Sequence, residues 1–100
     1  MTPQISAEAK QKIAELCQKY KIRELSLFGS RVRGDFSKNS DFDFLVEFDP
    51  DTHIDLFEFS QIQIELEEVV NFDVDLVSKN GLKARIRDRV LSEAEIIYAG

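Results

Sequence analysis

From Asp41 to Phe48 the side chains alternate strictly, with Phe42, Phe44, Val46 and Phe48 on one face and Asp41, Asp43, Leu45 and Glu47 on the other. That period specifies a β-strand, because a helix would scatter the four apolar side chains around its axis. One face of the strand is for burial, and the other begins with two carboxylates. Asp41 and Asp43 are two residues apart and project to the same side, within reach of one shared cation. A second alternation, Phe72 to Val77, predicts a further strand with Asp73 and Asp75 on a common face. The chain must therefore build a sheet with acids at its strand entrances.

The remaining segments place helices around that sheet. Ser6 caps a predicted helix through Tyr20, whose Ile13, Leu16, Cys17 and Tyr20 recur at helical spacing. Lys21 to Phe28 reads as a strand stopped by Gly29, and a polar segment follows from Ser30 to Ser40. After the turn at Asp49, Pro50 and Asp51, a helix is predicted from Asp55 to Val70 on a stripe of Phe59, Ile62, Leu66, Val69 and Val70. Ser78 to Gly81 forms a turn. A basic helix through Leu91 then sets Leu82, Ile86 and Val90 inward, with Lys83, Arg85, Arg87 and Arg89 elsewhere, and Glu95 to Ala99 forms an edge strand. This order predicts an α/β (α+β) domain with a mixed sheet of about four strands and flanking helices. A chain of 100 residues is expected to hold one domain, 1–100.

Thirteen basic against nineteen acidic residues give a net charge of -6, a field that repels polyanions, so direct nucleic-acid binding is not expected. Cys17 is the only cysteine and cannot form an internal disulfide; it reads as a small buried hydrophobe, compatible with a reducing cytoplasm. Neither a leader-like start nor an apolar run of spanning length is visible, so no membrane association is expected. His53 has no second histidine beside it and is not expected to bind metal.

Three carboxylates converging at one sheet end would repel one another, so a cluster of Asp41, Asp43 and Asp75 calls for a divalent ion or nearby arginines. Mg²⁺ suits an all-oxygen site completed by substrate phosphates. An Asp-x-Asp pair alone is usually a solvated strand edge. Gly29 and Ser30 change that balance. They end a strand and begin a turn whose backbone N–H groups can receive phosphate oxygens, eleven residues before the acid pair opens the next strand. Arg31 and Arg33 add positive charge, although arginines in a polar loop commonly stay solvated.

Gly29-Ser30-Arg31-Val32-Arg33-Gly34, Ser40-Asp41-Phe42-Asp43-Phe44-Leu45-Val46 and Val74-Asp75-Leu76-Val77 resemble the signature of the minimal nucleotidyltransferases, or MNT proteins, of the DNA polymerase beta-like superfamily. The resemblance extends to Gly81-Leu82-Lys83-Ala84-Arg85-Ile86-Arg87, with Ala84 where members frequently have proline. It implies that Gly29 and Ser30 hold a triphosphate, that Asp41 and Asp43 bind catalytic Mg²⁺, two ions being expected, and that Asp75 is the third carboxylate with Asp73 in reserve. Arg31 and Arg33 match the family's Arg-x-Arg, and spacing leaves open whether they meet phosphate or a partner. ATP is the expected nucleotide donor.

No acceptor-binding domain is visible, so the acceptor hydroxyl is expected to arrive on another molecule. In the resembled family that partner is commonly a HEPN-domain toxin, adenylylated on a tyrosine by its MNT antitoxin. Two alternatives remain: a non-catalytic antitoxin that neutralises its partner by binding, and a transferase acting on a small-molecule hydroxyl. On the predicted helix from Asp55 to Val70, Phe57 and Ile64 share a face away from the main stripe. They are expected to meet a partner or a second copy, making a hetero- or homo-oligomer.

Overall fold

The computed structural model describes residues 5–34 and 41–100. Ser40, the first residue of the acid motif, and most of the polar segment before it lie outside the described residues. The elements run α1 (Ala7–Lys19), β1 (Ile22–Phe28), α2 (Ser30–Arg33), β2 (Phe42–Phe48), α3 (Leu56–Val70), β3 (Val74–Ser78), a 3₁₀ turn (Lys79–Gly81), α4 (Ala84–Glu93) and β4 (Glu95–Ala99). Both long helices start where a capping side chain appears. The Ser6 hydroxyl accepts from Ala9 N–H at 3.1 Å, and Asp55 Oδ1 accepts from Glu58 N–H at 2.8 Å. Asn71 ends α3 in the left-handed region at φ 61°, a conformation asparagine tolerates better than most residues.

The four described strands form a mixed sheet in the order β3-β2-β1-β4. β1 pairs antiparallel with β2 and β4, whereas β2 and β3 are parallel and joined by the α3 crossover. Helices α1 and α3 pack on one face. There Ile13, Leu16 and Cys17 of α1 and Ile62 and Leu66 of α3 meet Leu25, Leu27, Phe42, Phe44, Val46, Val74 and Leu76 from the strands. Leu45 and Val90 are buried apart from that cluster. The acids therefore project from β2 and β3 on the face that α1 and α3 leave uncovered.

Several boundaries differ from the sequence expectation. β3 begins at Val74; Phe72 is drawn out of the strand and its ring lies 5.7 Å from Phe42. α4 continues past Leu91 to Glu93, and Ile86, expected inward, is 37% exposed because only Val90 of this helix reaches full burial. Phe57 and Ile64 are exposed, as is Leu56. No described helix is long and apolar enough to cross a membrane.

Candidate active site

β1 delivers the chain to Gly29 directly beside β2, since Phe28 pairs with Asp43. Gly29 has φ 84° and ψ -156°, a conformation essentially confined to glycine. A Cβ at this position would overlap Asp43 Oδ2 and lie 3.1 Å from its Cγ. Glycine is thus required twice, by the backbone angle and by the carboxylate packed against it. The next four residues wind into α2, with Val32 N–H and Arg33 N–H both donating to Gly29 O at 3.1 Å. Gly34, at φ 84°, closes the turn by donating to Ser30 O at 2.9 Å.

Asp43 and Asp75 are register partners on the parallel strands β2 and β3, a separation of about 4.8 Å between neighbouring backbones. Asp41 stands one residue before β2 and is exposed. Asp73 has no such register: its carbonyl accepts from Phe42 N–H at 2.9 Å, and its side chain lies outside β3. Burial pushes the Asp43 carboxyl above its ordinary range, and the charges of Asp75 and Asp41 push it further; Arg33 opposes them and Glu93 adds to them. Among the described residues no group of three or more histidine, cysteine, aspartate or glutamate side chains is placed to hold a metal ion, so the acids offer at most two carboxylates to one position. The register-paired carboxylates of Asp43 and Asp75 are hard oxygen donors of the kind a divalent cation takes when water and substrate phosphate complete its shell.

The two arginines part company. Arg31 is only 5% exposed, with its guanidinium carbon 4.1 Å from the centre of the Phe42 ring and 4.5 Å from that of Phe72. Burial lowers its pKa, and the charge of Asp41 acts in the opposite sense. Stacked in this way it braces the start of β2 against the entrance to β3. Arg33 stays at the surface and pairs with Glu93 through Nη1 at 3.1 Å.

The family model described as Polymerase beta, Nucleotidyltransferase matches residues 11–100. The chain belongs to this nucleotidyltransferase family. Among its relatives is the protein adenylyltransferase MntA of Thermococcus cleftensis, 39% identical over 84 residues that make up 84% of this chain and 81% of the relative. A solved structure described as a candidate minimal nucleotidyltransferase superposes with a TM-score of 0.72 at 32% identity, covering 89% of this chain and 88% of the other. The same fold occurs in a solved complex of a tri-AMPylated Shewanella oneidensis HEPN toxin with its MNT antitoxin, with a TM-score of 0.67 at 20% identity, covering 93% and 71% of the two chains.

Within this nucleotidyltransferase domain, Gly29, Asp43 and Asp75 gather at one end of the central strands, with Asp41 beside them. Sequence reasoning missed Glu93, whose carboxylate accepts a hydrogen bond from Gly29 N–H at 2.8 Å. A helix drawn only to Leu91 leaves that residue in a connection with no role. Its one sequence signal is an acid standing two residues before the final strand. A separate hollow of about 780 Å³, lined by Asp49, His53, Asp55 and Asn80 among others, lies at the opposite end of β2 and includes none of the site residues.

Proposed function

We propose that this chain transfers AMP from ATP to a tyrosine hydroxyl of a HEPN-domain partner and so acts as that partner's antitoxin. The observation that carries the reading is the Asp43–Asp75 register pair packed against the Gly29 turn, which sets the Ser30–Arg33 turn beside a carboxylate row. The adenylyltransferase relative and the AMPylated toxin bound to its MNT antitoxin support the choice of donor and acceptor.

In this reading the Gly29 turn, packed against Asp43, sets Ser30 and Arg33 beside the carboxylate row, where they supply donors to the triphosphate oxygens. Asp41, Asp43 and Asp75 are the residues that would hold Mg²⁺, which would supply positive charge to the phosphates and the leaving oxygen. Asp75 orients the incoming hydroxyl and takes its proton. The hydroxyl oxygen bonds to the α-phosphorus, the bond to the β-phosphate bridge breaks, and pyrophosphate leaves. The docked partner supplies the positioning of the acceptor.

The test is intact mass spectrometry of the HEPN partner after incubation with this chain, ATP and Mg²⁺. Mass should rise by whole adenylyl groups, and Asp41→Asn should abolish the change. A partner neutralised equally well by wild type and Asp41→Asn, with no mass change in either, would establish the binding-only alternative instead.

A further inference from the structure

Glu93 closes α4, and its side chain, 15% exposed, turns into the space between the Gly29 turn and Arg33. Oε2 accepts from Gly29 N–H at 2.8 Å and from Arg33 Nη1 at 3.1 Å; Oε1 lies 3.4 Å from the same Nη1. A carboxylate here is electrostatically unfavourable on its own, since it adds to the charge that already hinders ionisation of Asp43. Its pairing explains its presence. Gly29 is buried, so its N–H needs an acceptor, and Glu93 provides one from a residue 64 positions away. The same group restrains one end of a long, rotamer-rich arginine before any ligand arrives.

We propose that Glu93 is a positioning residue of the nucleotide site, fixing the Gly29 turn and the Arg33 guanidinium in the orientation that receives the triphosphate without itself touching it. This rests on the nucleotidyl-transfer reading above. Glu93 thereby makes the end of α4, the approach to β4, part of the nucleotide site. The opposite arrangement, a carboxylate that merely holds the place of a phosphate, would compete with ATP.

Calorimetric titration of the full chain with ATP in Mg²⁺, alongside steady-state transfer to the HEPN partner, separates these cases. Glu93→Gln keeps the size and an acceptor for Gly29 but loses the charge pair, whereas Glu93→Ala loses both. ATP binding should weaken about threefold in Glu93→Gln and about tenfold in Glu93→Ala. KM for ATP should rise in step, with kcat at saturating ATP held within about twofold. In an Arg33→Ala background, Glu93→Gln should add little, because the pair is already broken. If Glu93→Ala does not fold, Glu93→Gln and the Arg33 cycle carry the test. Unchanged ATP affinity in the variants overturns the inference, as does a fall in kcat with KM unchanged, which would mark a general loss of folded enzyme. Tighter ATP binding by Glu93→Ala overturns it in favour of the competing carboxylate. Wild-type chain that binds no ATP overturns the nucleotidyl-transfer reading itself, whereas wild type that binds ATP beside indifferent Glu93 variants sinks only the role given to Glu93.

Discussion

Gly29 combines a demand on backbone angle with a demand on space, and an alanine there meets both. Gly29→Ala should destabilise the fold by about 2 kcal/mol, since its φ of 84° and ψ of -156° disfavour any side chain and the new Cβ meets Asp43. A thermal melt checks this. Asp43 behaves in the contrary manner. Its folded pKa lies above the ordinary value, so the folded state is penalised as pH rises from the unfolded pKa through the folded one, and the penalty is complete above both. Asp43→Asn should therefore raise Tm at neutral pH without Mg²⁺ while abolishing transfer, and Mg²⁺ should raise the wild-type Tm but not that of the variant. Asp41 and Asp43 were legible because strand period alone puts them on one side. The burial of Arg31 was not, because Phe72, which covers it, comes from a segment remote in sequence.

Helices α1 and α3 are fastened to each other at one end by polar groups as well as by the core. Tyr20 donates its hydroxyl proton to Glu65 Oε2, and Lys19 Nζ stands 3.4 Å from Glu65 Oε1. The Tyr20 hydrogen bond is the first cause of the lowered Glu65 pKa, and the same bond raises that of Tyr20. The Glu65 contribution is thus present above its unfolded pKa and fades as pH falls through the lower folded value. The Tyr20 contribution is present below its unfolded pKa and is lost as pH rises through the higher folded value. Tyr20→Phe should cost about 1 kcal/mol at neutral pH and flatten both losses, measurable by denaturant titration at acid, neutral and alkaline pH. Helix positions were readable from apolar spacing and from Ser6 and Asp55. The end of α4 was not, since Ser92 and Glu93 carry no apolar mark and the helix continues on tertiary contacts of Glu93.

Taken whole, the molecule is acidic, and its Arg33 is already engaged by Glu93. Duplex DNA should accordingly show no mobility shift with this chain at about 0.15 M salt, a result that electrophoresis can check directly. The mixed sheet and its flanking helices could be anticipated from the order of periodic segments. The strand order could not, because local pattern is silent on which edge of β1 receives β4. That pairing sets the timing of assembly. β1 is made early but gains its second neighbour only when Tyr98 reaches Leu25, roughly 70 residues later. On the ribosome, the inner strand must wait with one edge unmatched, and Gly29 waits with it for Glu93. If Glu93 positions the nucleotide site as proposed, a nascent chain should hold ATP more weakly until α4 has brought that carboxylate to Gly29.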